Sequence, residues 1–324
     1  SLSTAKIQAL TPTQVRQLSA EQINALTTKI SSIQTADIAA ISAGAAGKLS
    51  TAFIQALSSD QVKALDKTQL TSLTSSQLQA LEAGDLAKMS TAQLGMLRAD
   101  QVGQLTTAQL NNLTSTQLQS LSGRQMSGLG TAQMASLTTE NLATLTSAQV
   151  NALSATQLNA LDATQVSSLT STALSSINDG AFGKLSTATL QALTTGQVAH
   201  LTNKQIGAMT SSQLNGLQAE DLVKLSSSQI NALSGNQLAS LSTSQLNALT
   251  TTQFASLSKD LISALTTTQI SKLSNDHVKA LTTAQSAVLS AKQLNALTTG
   301  QITQLDTADV ASVDRKSTRL NSSH

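Results

Sequence analysis

The chain of 324 residues has no cysteine, tryptophan or tyrosine, only three phenylalanines and one proline, and just 11% charged residues. Without cysteine it has neither disulfides nor thiolate chemistry. Ordinary cores take much of their buried area from aromatic side chains. Here Leu, Ile, Val and Ala must fill that role. No run of 18 apolar residues occurs, which excludes a transmembrane helix in this sequence.

Charge is as scarce as it is balanced. The formal net charge is +2. All of it lies in the last eleven residues, DRKSTRLNSSH, where Arg315, Lys316 and Arg319 stand against Asp314. The body is neutral and offers no basic footprint for nucleic acid or anionic lipid. The tail breaks the pattern of the rest at once. It resembles the translation of a common short-read sequencing adapter, and residues 314–324 are expected to be a disordered artefact. The opening Ser1-Leu2 reads as the end of a repeat cut in half, so the chain is expected to be a fragment of something longer.

What the chain does have is a repeat. From Thr106 it reads TTAQLNNL, TSTQLQSL, SGRQMSGL, GTAQMASL, an eight-residue unit. A Ser/Thr pair opens it and Gln stands fourth. An apolar residue stands fifth, and Leu, Ile, Met or Val eighth. The register holds from Gln34 to Val313, and three more units run from Ser3 to Leu26. Between them Thr27 to Ile33 (TTKISSI) is one residue short. The fifth position weakens at Ala46 and Ser286. One array, 3–313, is expected, with no internal domain boundary.

The period excludes a continuous helix. Eight residues advance about 800°, roughly 80° past two full turns, so an octad stripe would circle the helix and leave no face buried. In a strand, spacings of five and three would point the apolar residues to opposite faces. A thin two-sided sheet could use that. Abundant Ala, Leu and Gln, with few Asn-Gly or Asp-Gly turns, favour helix.

A short helix restarted in every octad fits four local rules. The first-position Ser or Thr is an N-cap, replaced by Asp66, Asp162, Asp306 or Asn178. Gln at the third helical position completes a capping box, as in Thr106 with Gln109, Ser154 with Gln157 and Ser290 with Gln293. The preceding eighth-position Leu and the fifth-position residue make a hydrophobic staple. Pro12 falls at the first helical position, where it costs no hydrogen bond. Acidic residues gather near helix starts (Glu21, Asp37, Asp60, Asp85, Asp100, Glu140, Glu220, Asp221, Asp276), and lysines near ends (Lys48, Lys88, Lys184, Lys224, Lys272). Asp85 with Lys88 and Asp221 with Lys224 can pair across a turn. The expected fold is all-α, a solenoid or superhelix of very short capped helices, one per octad. Each helix would span about six or seven residues, below the roughly 12–15 that stand alone, so stability must come from stacking. A small seventh position would let successive helices approach.

A longer period lies over the octad. Gln-poor units begin at Ser42, Glu82, Thr138, Asn178, Gln218 and Ser258, separated by 40, 56, 40, 40 and 40 residues. Five octads could be a duplication unit, one superhelical turn, or drift.

Chemistry is sparse, and no catalytic residue, cofactor or metal ligand is expected. In the body the histidines are His200 and His277, and His277 occupies the Gln slot as a capping substitute. No serine lies in a nucleophile elbow. Glu220-Asp221 reads as helix-start charge. Gly47-Lys48 and Gly183-Lys184 lack the upstream glycine and strand context of a P-loop. Asn at the sixth position (Asn111, Asn151, Asn159, Asn231, Asn247, Asn295) could be a solvated face or an interhelical hydrogen-bond ladder.

The recurring LTTAQL-NAL unit resembles the Leu-Thr-x-x-Gln octad arrays of very large bacterial secreted or surface proteins, some labelled haem utilisation or adhesion proteins. The resemblance covers residues 3–313. It implies the architecture and a cell-surface or secreted setting. It brings no haem ligands, because no recurrent His, Tyr or Met-His arrangement exists here. The expected role is a spacer, stalk or adhesive repeat region that meets a protein or a surface polysaccharide, and not nucleic acid. Alternatives are a protein-binding α-solenoid scaffold, and an ice- or polysaccharide-binding surface made of second-position threonines such as Thr107, Thr251 and Thr267.

Overall fold

Each octad folds around its cap. In the computed structural model, which describes residues 3–311, first-position residues are extended, as at Thr106 (φ −69°, ψ 158°), and the helix Thr107–Asn111 follows. The pattern recurs at Lys67–Ser72 behind Asp66 and at Ala155–Leu158 behind Ser154. Pro12 opens the helix Pro12–Val15 at the position its missing N–H favours. Every regular element among the described residues is helical.

The helices have four to six residues rather than six or seven. The eighth-position residue causes the difference. Leu73 is extended (φ −62°, ψ 136°), and its N–H reaches the Leu70 carbonyl three residues back at 3.3 Å. That tight closure turns the chain straight into the next cap. The seven-residue unit tightens further, into the 3₁₀ helix Thr27–Ser32, which has no side-chain cap. A 3₁₀ helix rises more per residue, so a shorter unit still buries Ile30 and Ile33.

Two compact units divide the chain, 1–169 and 170–324. Within each, the helices stack as a solenoid. Neighbours in space are three octads apart in sequence: Ala99–Val102 lies against Gly123–Ser127, and Gly235–Ser240 against Lys259–Ala264. Close approach is therefore between repeats three apart, not successive ones as expected. The small residues mark where it happens. A Cβ on Gly103 would stand 2.2 Å from the Gly128 carbonyl oxygen, and one on Gly128 would stand 2.3 Å from that of Ala99. Only glycine fits such a contact. Gly47 and Gly183 likewise face the carbonyls of Ser72 and Ala208.

The core is the continuous line of fifth- and eighth-position side chains. Leu70, Leu94, Leu118 and Leu246 are fully buried, and Leu73, Leu97, Leu121 and Leu249 nearly so. Phe182 and Phe254 take the fifth position of their octads. Phe53 lies one place earlier, in the Gln slot, and is equally buried. With no aromatic stacks to rely on, the fold spreads its buried area evenly over the array.

Candidate functional site

From Gln61 onward the fourth-position glutamine is buried, although an amide is costly to bury without partners. It finds four. Gln149 Oε1 accepts the Thr146 N–H at 2.9 Å, while the Gln149 N–H donates to Thr146 Oγ1 at 3.3 Å, completing the capping box. Gln149 Nε2 then donates to the carbonyls of Leu118 and Leu121, 31 and 28 residues back, at 2.7 and 2.8 Å. Those carbonyls belong to the fifth and eighth positions of the octad four repeats earlier. The same reach, to carbonyls 28 to 31 residues back, runs from Gln61 through Gln109 to Gln157. It continues from Gln205 to Gln301 in the second unit. Helices that touch three repeats away and glutamines that reach four away put one superhelical turn between three and four octads. The 40-residue period is therefore not a turn.

The capping residues read from the sequence lie in this ladder. The Thr106 N–H donates to Gln109 Oε1 at 2.8 Å, the Ser154 N–H to Gln157 Oε1 at 2.9 Å, and the Ser290 N–H to Gln293 Oε1 at 2.8 Å. Gly130 has no side chain to cap with, yet its N–H still donates to Gln133 Oε1 at 2.7 Å. Sequence reasoning reached the cap and missed the tie between turns. The signal was present: a capping Gln with no other duty would tolerate Glu, and this slot avoids it.

His277 keeps the tie between turns but not the cap amide, since the Ser274 N–H goes to Asn247 Oδ1 at 2.8 Å. His277 Nδ1 lies 2.6 Å from Ser274 Oγ and its Nε2 lies 2.8 Å from the Leu249 carbonyl, 28 residues back. The bond to a carbonyl requires the proton on Nε2. The ring also meets Phe254 edge-on, with centroids 4.8 Å apart. His200 is exposed and bonds its own helix at the Gly196 carbonyl, 2.8 Å away.

Carboxylates in the slot behave differently. Asp221 accepts the Gln218 N–H at 3.2 Å, and Asp85 accepts from the Ser59 hydroxyl. Neither is turned towards its lysine. Among the described residues, exposed ion pairs join Lys63 to Asp60 at 3.2 Å and Arg98 to Asp100 at 2.9 Å, whereas Asp85 bonds to Ser59 and Asp221 to the Gln218 N–H rather than to Lys88 and Lys224. Asp37 is buried with Oδ2 unpartnered, and burial pushes its carboxyl above the ordinary range against the opposing Gln34 backbone bond. Asp66, a cap, is shifted the other way. Burial raises it, but bonds from the Gln69 N–H and from the Thr68 hydroxyl and N–H outweigh this and hold it low.

Sixth-position asparagines form a second set of ties. Asn111 Nδ2 donates to the Ser136 carbonyl at 2.7 Å, and Asn111 Oδ1 accepts the Thr138 N–H at 3.2 Å. Asn231 does the same for Ser256 and Ser258, and Asn247 for Lys272 and Ser274. Asn24 accepts from the Ser50 N–H at 2.8 Å. Each receiving octad lacks the slot glutamine, which is replaced by Asn141, Leu261, His277 and Phe53 respectively. The asparagine of one turn thus covers a cap amide that the next turn's own octad leaves open. Asn215 is the exception: 27 residues on, the Ser242 N–H goes to Gln245 at 3.1 Å.

A family model described as the ALTTAQ repeat matches residues 78–115, 180–211, 214–251 and 222–259. This is a tandem-repeat protein. No curated protein matches the chain. The buried slot glutamines described above are committed to backbone amides and carbonyls. No helix among the described residues is long and apolar enough to cross a membrane. No group of three or more potential metal-binding side chains gathers among them. The tail 314–324 lies outside the described residues.

Proposed function

We propose that this tandem-repeat chain is a spacer, stalk or adhesive repeat region of a large bacterial cell-surface or secreted protein. The observation that carries the reading is the glutamine ladder. Every tie links an octad to the one four repeats earlier, so stability is local and repeat number can change without redesign. The exterior supports it. Exposed positions are short and polar, as at Thr107, Thr251 and Thr267, and the charge of the body is balanced. Such a surface carries no single-sign charge field that would draw nucleic acid or anionic lipid.

The test is protease shaving of intact source cells, followed by mass spectrometry of the released peptides. Octad peptides released before lysis fit a surface role; release only after lysis overturns it. A glycan array and a pull-down with the purified chain separate the roles within that reading. Glycan binding that falls when Thr107, Thr251 and Thr267 are replaced by Val selects adhesion. A stoichiometric protein partner selects a binding scaffold instead.

A further inference from the structure

Carbonyl oxygens gather where a slot amide ends. Gln93 Nε2 has the carbonyls of Val62, Lys63 and Leu65 at 3.2, 3.0 and 3.0 Å. Gln293 Nε2 has those of Ile262, Ser263 and Leu265 at 2.9, 3.3 and 2.9 Å. Each set is the fifth, sixth and eighth position of the octad four repeats earlier. An amide nitrogen, with two hydrogens, can satisfy such a cradle. An ionised carboxylate cannot, because it only accepts.

Aspartate nevertheless stands in this slot at Asp37 and Asp221, and both are buried. The octads on either side of Asp221 keep their ties, Gln213 to Leu185 at 2.7 Å and Gln229 to Leu201 at 2.6 Å. The same register sets Asp221 over the carbonyls of Leu190, Gln191 and Leu193. One of its oxygens accepts the Gln218 N–H at 3.2 Å. Asp37 is set in the same way over Ile7 and Leu10. Gln34, from its own octad, fixes that placement by donating from Nε2 to the Gln8 carbonyl at 3.1 Å. Asp37 is 2% exposed, and its Oδ2 has no donor. Aspartate is one methylene shorter than glutamine, so its carboxylate stops about 1.5 Å short of the amide position. The polar atoms that the register brings to this space are all acceptors.

We propose that a dehydrated monovalent alkali cation fills the space at Asp37 and at Asp221, bridging the carboxylate to the carbonyls of the preceding turn. Backbone carbonyls can replace the hydration shell of such an ion. One carboxylate balances one positive charge, so neither is left buried and unpaired. A divalent cation would leave an excess charge and would seek about six to eight oxygens, more than the slot supplies. At Asp85 the Ser59 hydroxyl already holds the carboxylate, so no cation is called for there. The cation does for aspartate what the amide hydrogens do for glutamine, and the tie then depends on the surrounding salt. The inference rests on the fold and stands whether or not the spacer reading does.

Thermal melts of the full chain in potassium, sodium and N-methylglucamine chloride test it. Ionic strength is held equal, so that general screening is the same in each. The chain should melt at a higher temperature in at least one alkali chloride than in N-methylglucamine chloride. With that cation at about ten times its dissociation constant, the folding equilibrium should shift about tenfold per site. The comparison of potassium with sodium identifies the preferred ion. The double variant Asp37→Gln, Asp221→Gln restores the slot amides and should melt alike in all three salts, with an unchanged helical circular dichroism spectrum. Each single variant should lose one site's share of the effect. Equal melting temperatures of the unaltered chain in the three salts, or the same salt preference in the double variant, would each overturn the proposal.

Discussion

Asn111 and Thr138 are 27 residues apart, and the Thr138 N–H donates to Asn111 Oδ1 at 3.2 Å. This bond replaces the one that a glutamine at Asn141 would have accepted within the octad. Removing it by Asn111→Ala leaves the cap amide open and should cost about 1–3 kcal/mol. Asn141→Gln in the same chain should recover most of that loss. Denaturant titration of the single and double variants gives the coupling; additive losses would show that the two side chains do not serve the same amide.

Gln149 is buried and Gln14 exposed, though both complete capping boxes. Gln149→Glu keeps the cap acceptor and turns an oxygen toward Leu118 and Leu121. It should destabilise by about 2–4 kcal/mol at neutral pH, the cost of an unsatisfied buried charged group. Gln14→Glu should cost under about 0.5 kcal/mol in the isolated chain, as surface changes do. Equal thermal shifts for the two would remove the inter-turn tie from the energetics.

Ser286 occupies a fifth position, is 1% exposed, and its hydroxyl has no partner. Ser286→Ala should stabilise by about 1 kcal/mol by deleting an unsatisfied polar group. Ser286→Val should add about 1 kcal/mol more through buried methyl groups. A lower unfolding midpoint in both variants would mean that the hydroxyl is satisfied in solution.

The folded-state pKa of Asp37 lies above its unfolded value. Its contribution is therefore favourable at low pH and is lost as the pH rises through the window above the unfolded value. Asp37→Gln, which restores the slot residue, should raise the melting temperature at pH 7 and gain less below about pH 3.9, the ordinary Asp value. Asp66 has the opposite sign: its stabilisation is present above that value and lost on further acidification. Melting curves across acid pH for the unaltered chain, Asp37→Gln and Asp66→Asn separate the two.

Gly128 and Gly95 look alike in sequence and differ in space. A Cβ at Gly128 meets the Ala99 carbonyl oxygen at 2.3 Å, whereas nothing lies within 4 Å of one at Gly95. Gly128→Ala should cost about 1–3 kcal/mol by overpacking. Gly95→Ala, inside the helix Thr91–Met96, should gain about 0.5–1 kcal/mol. Stability of the two variants by chemical denaturation decides whether the three-repeat contact is as close as described.

The octad frame, the caps and the all-helical solenoid were legible because they depend on neighbours within eight residues. Thr106 and Gln109 announce each other at a fixed short spacing. The partner of Gln149 Nε2 is a pair of backbone carbonyls 31 and 28 residues away, and carbonyls carry no sequence signature. The asparagine ties were legible in principle. Asn24, Asn111, Asn231 and Asn247 each precede an octad without its glutamine by the same number of octads. The same 27-residue spacing separates Asn151 from Asn178 and Asn159 from Ser186, both starts of octads without the glutamine. Two sparse features had to be compared at an offset that only the turn size supplies.

The glutamine ties have a direction. Gln61 reaches Ile30 and Ile33, and Gln301 reaches Ile270 and Leu273, always toward the N-terminus. A newly made octad thus finds its acceptors in chain that has already left the ribosome. Domains synthesised in this order fold N-terminal part first. Here the unit of that progress is a single octad laid onto a finished turn, so the array can wind up at the pace at which it is delivered, without waiting for its far end.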